Sequence, residues 1–245
     1  MSLRQLLPSR QDNPDLAALY AYPGGRWLRA NMVSSADGAA ALDGASAGLS
    51  SGTDRQLFAL LRALSDVIIV GAATARAERY KPARAQEPWR DLRAGRPPTP
   101  PIAVVTRRLD LDPGGPLITA APPEARTIVI TTEKAPRDIR AAIEPHADVV
   151  IAGEETVDLE AAVTALAERG HRRMLTEGGP HLLAQLLEAG LLDELCLTVA
   201  PLLTGPGAGR IVAGAPSGPA ALPLTLGHVL EDDGFLFFRY LRKDL

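Results

Sequence analysis

Three short segments place glycines, hydroxyls or guanidinium groups directly after apolar runs, an arrangement that suits phosphate binding. Residues 175–180 read Leu-Thr-Glu-Gly-Gly-Pro and lead from an apolar run into a helical pattern. Glycines let the backbone approach an anion closely, and the free N–H groups at a helix N-terminus point at its charge. Two further apolar runs end in segments 70–79 and 104–108, which carry Thr74, Arg76, Thr106 and Arg107. Three such segments in one sheet predict a phosphorylated dinucleotide cofactor, with an arginine near the ribose 2′-phosphate selecting NADPH.

Taken singly, these segments leave plainer interpretations open. Two glycines after a strand also permit close packing of strand and helix, and segment 70–79 also suits a polar loop with solvated charges. Glu78 lies on that loop and is a candidate acid or substrate anchor. Residues 44–48 read Gly-Ala-Ser-Ala-Gly and match the hydrolase pattern GxSxG, which requires a strand directly before the serine and a helix directly after it. No such context surrounds Ser46, so a hydrolase is not favoured.

The elements that must position these residues belong to a layered α/β fold. Short runs of Val, Ile and Leu alternate with segments of helical period, which predicts a mostly parallel sheet covered on both faces. Strands are predicted at 27–33, 67–71, 102–106, 127–131, 148–152, 173–177, 195–200 and 235–241, and helices at 54–65, 159–169 and 181–189. No helical pattern precedes the last strand, so it should form an antiparallel C-terminal edge. Segment 81–101, rich in Pro and Arg, is expected to be a loop flanking a site or a surface insertion, and 213–223 a plain connection.

Composition excludes several classes of partner. The chain has 26 Lys plus Arg against 29 Asp plus Glu, a net charge of −3, so no basic field attracts nucleic acid or an anionic membrane. Cys196 is the single cysteine, and the four histidines show no metal-ligand spacing, so we expect no disulfide and no metal site. We find neither a signal-peptide pattern nor an apolar run of about 18 residues. A cytoplasmic location is therefore expected.

Six blocks together resemble the reductase domain of bifunctional riboflavin-biosynthesis deaminase/reductases. In order along residues 27–241 they are Asn-Met-Val-Ser-Ser-Ala-Asp-Gly (31–38), Ser-Ser-Gly before a helix ending in Leu-Leu-Arg (50–62), Val-Gly with Thr74 and Arg76, Glu-Gly-Gly-Pro (177–180), Asp-Glu-Leu (193–195) and Pro-Leu-Leu-Thr-Gly (201–205). The resemblance implies a dihydrofolate-reductase-like three-layer fold, with residues 1–26 as an N-terminal extension and 27–245 as a single reductase domain. It also implies a homodimer. The Cys and His set of the zinc deaminase half cannot be made with one cysteine.

By this resemblance the chain is an NADPH-dependent oxidoreductase, similar to 5-amino-6-(5-phosphoribosylamino)uracil reductase. Such an enzyme reduces a phosphorylated ribosylaminopyrimidine to its ribitylamino product. The implied cofactor-binding residues are Gly71, Thr74, Arg76, Thr106, Arg107, Glu177, Gly178 and Gly179. The implied substrate-binding residues are Asn31, Ser34, Arg55, Arg62 and Arg84. Among the carboxylates, Glu78 is the first candidate for positioning the substrate or assisting protonation, and Asp37 is the second.

Two departures from the family pattern lie on the substrate side. Ala39 stands where the family commonly has a basic residue, and Glu78-Arg79-Tyr80 stands where Asp-Asp-Pro or Asp-Asn-Pro is usual. These changes favour a separate reductase subgroup. They leave open a dihydrofolate-type or other pterin or pyrimidine substrate, and a catalytically silent NADPH-binding protein of the same fold.

Overall fold

One sheet of eleven strands forms the middle layer of the part of the chain that the computed structural model describes, residues 3–42, 44–214 and 221–243. In chain order the strands are β1 (Arg4–Leu7), β2 (Gln11–Asp12), β3 (Trp27–Ser35), β4 (Val67–Gly71), β5 (Ile102–Val105), β6 (Ile128–Thr131), β7 (Asp148–Ile151), β8 (Arg173–Thr176), β9 (Glu194–Ala200), β10 (Leu224–Asp232) and β11 (Phe235–Arg242). Across the sheet their order is β2-β1-β10-β11-β9-β3-β8-β4-β5-β6-β7. The strands from β9 to β7 pair in parallel, and β11, β10, β1 and β2 extend the sheet by antiparallel pairs.

Helices cover both faces of this sheet, which makes three layers. They are α1 (Leu16–Leu19), α2 (Gly52–Leu64), α3 (Ala72–Ala77), α4 (Pro116–Thr119), α5 (Arg137–Ile143), α6 (Leu159–Glu168) and α7 (Pro180–Glu188), with 3₁₀ segments at Ser46–Leu49, Glu87–Arg93 and Pro123–Ala125. Side chains alternate along a strand, so Val67 and Ile69 of β4 pack in the cluster that holds α6 and α7, while Ile68 packs against α2 on the other face. Burial on both faces explains why β4 is a continuous apolar run.

The predicted mostly parallel sheet with an antiparallel C-terminal side is confirmed. Each predicted strand and helix is present, with ends that match or are shifted by at most two residues. The sequence patterns did not indicate β1, β2, β10 or the short helices α1, α3, α4 and α5. The reading of 72–79 as a loop is wrong at its start, because α3 begins directly after β4; at six residues it is too short to display a helical period. Of segment 213–223, expected to be a plain connection, residues 215–220 lie outside the described residues.

Residues that precede the first predicted strand also join the fold. β1 pairs with β10 in antiparallel orientation, and Leu3 and Tyr20 are buried in the cluster that contains α2. Arg4 forms an ion pair with Glu231 of β10 at 2.7 Å. The N-terminal segment therefore extends the antiparallel side of the sheet and covers part of the core.

Candidate active site

A cleft of about 1400 Å³ opens where α2, the end of α3 and segment 81–100 meet the carboxyl ends of β4 and β8. In a parallel sheet this edge is where loops gather and ligands bind. Its lining is mainly apolar, with polar groups from separate elements that include Asn31, Thr74, Glu78 and Glu177. An apolar pocket with a few convergent polar groups is the usual form of a small-molecule site.

Bare backbone forms the wall between the loops that follow β4 and β8. The Gly71 amide donates to the Gly178 carbonyl at 2.9 Å, which joins the two loops. Gly178 has a φ of +85°, and its peptide bond to Gly179 is cis. A Cβ at Gly179 would lie 2.1 Å from the Thr74 hydroxyl oxygen, so only glycine permits this close approach. Gly71, Gly178 and Gly179, here called the glycine wall, thus border the cleft with backbone that carries no side chains.

Helix α7 starts at this glycine wall. Gly179 is its N-cap and supplies no side-chain hydrogen bond, and Pro180 is the first helical residue. The first intrahelical bond runs from the Leu183 amide to the Gly179 carbonyl at 3.0 Å. The amides of His181 and Leu182 precede it and have no helical acceptor, so the helix end offers N–H groups and its positive dipole end to an anion.

A buried ion pair connects the β8 loop to α2. The Nε and Nη2 groups of Arg62 donate to the two oxygens of Glu177, both at 2.7 Å. The Tyr80 hydroxyl donates to the same carboxylate at 2.5 Å, and the Phe58 ring lies 4.2 Å from the Arg62 guanidinium carbon. Burial, reinforced by the charge of Glu177, raises the pKa of Tyr80, so its phenol stays protonated as a donor.

The two candidate catalytic carboxylates occupy different surroundings. Glu78 lines the cleft at the end of α3, and its Oε1 accepts hydrogen bonds from the amide and the hydroxyl of Ser46 at 3.1 and 3.0 Å. Asp37 is exposed and lies outside the cleft lining, where it accepts from the Thr204 and Gly205 amides at 3.2 and 3.0 Å. The Ser35 hydroxyl and these amides lower the pKa of Asp37 to about 2. Asp37 therefore holds a turn in place.

The remaining predicted residues divide between the cleft and its supporting loops. Asn31, Arg55, Arg62 and Arg84 line the cleft, whereas Ser34 is buried in β3 outside the lining. Arg76 forms an exposed ion pair with Asp110 at 2.8 Å, and the Thr106 hydroxyl accepts from the Asp110 amide at 3.2 Å. These two residues thus shape the loop after β5. Arg107 is exposed on the same loop, outside the lining.

The Pro/Arg-rich segment forms one side of the cleft and is anchored to α2. Arg93 donates to the carbonyls of Ala63 and Ser65 at 3.1 and 2.7 Å. Arg96 donates to the Leu64 and Ser65 carbonyls at 3.1 and 3.0 Å. These carbonyls end α2 and have no intrahelical partner, so the two guanidinium groups cap the helix C-terminus. The segment expected to be a loop also contains the 3₁₀ helix Glu87–Arg93.

Sequence reasoning missed several residues of the cleft. Asp54 is one of them: its carboxylate accepts from the Ser50 and Thr198 hydroxyls, both at 2.6 Å. The Ser-x-x-Asp spacing from Ser51 predicts only a helix start, and the Ser51 hydroxyl does accept from the Asp54 amide at 3.0 Å. Phe58, Tyr80 and Trp89 are the aromatic residues of the lining. No local pattern distinguishes them from ordinary core aromatics.

Two features are absent from the described residues: a membrane-spanning helix and a cluster of metal ligands. No helix in residues 3–42, 44–214 and 221–243 is long and apolar enough to cross a membrane. Within the same ranges, no group of three or more His, Cys, Asp or Glu side chains is arranged to hold a metal ion.

Comparison with known proteins gives a consistent set of relatives. The model of the RibD C-terminal domain family matches residues 26–234. The 2,5-diamino-6-ribosylamino-4(3H)-pyrimidinone 5′-phosphate reductase of Archaeoglobus fulgidus is 31% identical over 154 residues, which span 62% of this chain and 69% of that protein. A pyrimidine reductase-like protein of Corynebacterium diphtheriae has a TM-score of 0.81 at 28% identity, covering 94% of this chain and 95% of its own. The riboflavin biosynthesis reductase Rib7 of Saccharomyces cerevisiae shares the fold, with a TM-score of 0.65 at 16% identity over 92% of this chain and 97% of its own.

Proposed function

This chain belongs to the RibD C-terminal domain family, and from that premise we propose that it is an oxidoreductase of riboflavin biosynthesis. It reduces a phosphorylated ribosylaminopyrimidine to its ribitylamino product, with NADPH as the reductant. The observation that carries the proposal is the juxtaposition of the glycine wall and the free start of α7 with a cleft lined by carboxylates and arginines. The Archaeoglobus relative is named for a substrate of this class. A cofactor side and a substrate side are both needed for such a reduction.

The residues present fit a phosphorylated dinucleotide. A Cβ at Gly179 would collide with Thr74, and the amides of His181 and Leu182 have no helical acceptor, so peptide groups face the place where phosphates would bind. NADPH, when bound, supplies a hydride to the sugar carbon of the substrate. Gly71 and Gly178 hold the two loops together, and the Thr74 hydroxyl and the α7 amides would hold the pyrophosphate.

Two other groups complete the proposed cofactor side. Arg107 would contact the ribose 2′-phosphate, because a guanidinium binds phosphate in a bidentate manner and this one is exposed. Arg76 and Thr106 would keep the Arg107 loop in place through Asp110. Glu177, fully engaged by Arg62 and Tyr80, would maintain the shape of the β8 loop instead of contacting the cofactor.

On the substrate side, arginine side chains and hydrogen-bonding groups would together bind the substrate. Arg55 and Arg84 line the cleft and form no ion pair within the described residues, so they are free to bind the substrate 5′-phosphate. The Glu78 carboxylate, oriented by Ser46, would position the sugar hydroxyls or assist proton transfer during ring opening. Asn31 would contact the pyrimidine, and Ser34 and Asp37 would support β3 and its following turn.

Three broader properties belong to the same proposal. We take residues 27–245 as one reductase domain, with the N-terminal segment packed on it. Homodimers would form through the outer face of β9 and β11, where Phe238 and Tyr240 stack at 5.6 Å and are partly exposed. The Phe238→Arg variant should shift the mass measured by light scattering from two chains to one. The cytoplasm is the proposed location.

The deciding experiment follows the loss of NADPH absorbance with three substrates in parallel. They are the ribosylaminopyrimidinone 5′-phosphate with a 2-amino group, its deaminated uracil counterpart, and dihydrofolate. Turnover of either pyrimidine with kcat/KM of about 10⁴ M⁻¹s⁻¹ or more supports the proposal. Turnover of dihydrofolate alone would move the function to folate chemistry. Tight NADPH binding without turnover of any of the three would indicate a binding protein and contradict the proposal.

A further inference from the structure

The three carboxylates that line the cleft within the described residues are Asp54, Glu78 and Glu177, and they differ in what compensates their charge. Glu177 is paired with the Arg62 guanidinium. Glu78 is only half-buried. Asp54 is 9% exposed, and no cation forms an ion pair with it anywhere in the described chain. A buried carboxylate of this kind requires hydrogen-bond donors to offset its desolvation.

Two neutral side chains supply part of that compensation and set the orientation of Asp54. The Thr198 hydroxyl of β9 donates to Oδ1 and the Ser50 hydroxyl donates to Oδ2, both at 2.6 Å. A carboxylate can accept about four hydrogen bonds, two on each oxygen. After these two contacts, each oxygen retains one acceptor position. Because Asp54 belongs to the cleft lining, these two positions suit a ligand in the cleft that carries two adjacent donors.

The ring of a 2-amino-4(3H)-pyrimidinone has such an edge. Its N3–H and 2-amino groups are adjacent donors that match the two oxygens of a carboxylate. In the deaminated uracil form, an oxygen at C2 replaces the amino group, and its lone pairs would face the carboxylate. Asn31 does not supply this distinction, because an amide can pair with the N3–H and C4 oxygen edge that both rings share.

On these grounds we propose that Asp54 selects the 2-amino form of the pyrimidine substrate over the deaminated form. This inference rests on the proposed function, since it names the substrate of the same cleft. A site that binds a substrate N–H through a buried acceptor discriminates strongly against an analogue that lacks it, because the buried group is then left unpaired. We expect kcat/KM for the 2-amino substrate to exceed that for the uracil form by roughly 10²-fold or more.

The test is the ratio of these two kcat/KM values in the wild-type protein and in Asp54→Asn. Asparagine keeps the shape of the side chain but presents one acceptor and one donor, which matches N3–H beside a C2 oxygen. The ratio should move at least about 10²-fold towards the uracil form. A ratio is insensitive to the fraction of folded enzyme, so a purely structural role of Asp54 would leave it unchanged. An unchanged ratio, or a wild-type preference for the uracil form, overturns the proposal.

A matched control applies the same chemical change far from the cleft. Asp148→Asn, on β7 at the far edge of the sheet, removes an exposed carboxylate and should leave the ratio unchanged. If Asp54→Asn does not fold, Thr198→Val serves as a second variant. It removes one hydroxyl from Asp54 without altering the charge, so the 2-amino preference should keep its sign.

A binding measurement on the wild-type protein separates failure of this inference from failure of the proposed function. Inhibition constants or calorimetric affinities are compared for 2-amino-4(3H)-pyrimidinone and uracil nucleoside phosphates that cannot be reduced. Tighter binding of the 2-amino compound supports the role of Asp54 even where no substrate is turned over. Turnover of both pyrimidines with equal affinities would retain the proposed function and reject the inference.

Discussion

Replacement of Arg62 by methionine should destabilise the protein because it isolates a buried charge. The Glu177 side chain is 2% exposed, and without Arg62 its remaining side-chain donor is the Tyr80 hydroxyl. Removing one partner of a buried ion pair costs about 3–5 kcal/mol. Because the Arg62 side chain is 24% exposed, water can replace part of the lost interaction, and we expect a loss of about 2–4 kcal/mol. For a chain of this size that corresponds to a decrease in Tm of roughly 4–16 °C.

Urea unfolding followed by circular dichroism measures this loss. Adding Glu177→Gln to Arg62→Met removes the isolated charge, so the double variant should recover about 1–2 kcal/mol. As a control, Arg126→Met breaks an ion pair between side chains that are 35% and 57% exposed, and it should cost less than about 1 kcal/mol. The reasoning is refuted if Arg62→Met costs no more than Arg126→Met, or if the double variant is no more stable than the single one.

Four further predictions address the site and the core. Gly179→Ala should cost roughly 1–3 kcal/mol in thermal unfolding and weaken NADPH binding, and Thr74→Ala should relieve much of that cost, because the remaining Thr74 carbon lies 3.5 Å from the new Cβ. If the losses in stability of Gly179→Ala and Thr74→Ala are additive in the double variant, the predicted contact between the two residues is contradicted. Glu78→Gln should lower kcat at least about 10²-fold with little change in NADPH affinity, whereas loss of that affinity would place Glu78 on the cofactor side. Arg107→Ala should weaken NADPH about 10-fold more than NADH, and equal weakening would exclude a contact with the 2′-phosphate. Burial lowers the pKa of His228 to about 4, so the unfolded chain binds a proton first and stability falls as pH decreases from about 6.5 towards 4. Between pH 7 and pH 5 the free energy of unfolding of the wild type, measured in urea, should fall by about 2 kcal/mol more than that of His228→Phe. Equal decreases would contradict this origin.

The glycine wall is a part of the site that a local sequence pattern predicts. The order apolar run, Glu-Gly-Gly-Pro and apolar helix predicts a strand, a turn and a helix N-terminus, and β8 and α7 have that arrangement. The pattern is readable because strand burial, the turn and the helix start all depend on neighbouring residues. Strand β10 is different: its Leu-Thr-Leu-Gly-His segment has no continuous apolar run, and it is a strand because β1 and β11 pair with it on both sides.

The roles of the charged residues follow from partners that are distant in sequence. Arg62 and Glu177 are separated by 115 positions, and Asp54 and Thr198 by 144. From the sequence, Arg62 is a candidate for substrate contact and Asp54 is only the first turn of a helix. In the folded chain Arg62 is paired with the Glu177 carboxylate, and Asp54 lies in the cleft wall with no ion-pair partner among the residues that the structure describes.

By itself, the sequence determined the layered α/β class, the parallel strands and the glycine turn that opens onto the cleft. Hydrophobic periodicity and turn-forming residues are local properties, and each is encoded within about ten consecutive residues. Only the tertiary structure decided which charges neutralise one another and which remain available to a ligand. Those pairings depend on sheet order and on helix packing, which bring distant residues together at one edge, and no local pattern encodes them.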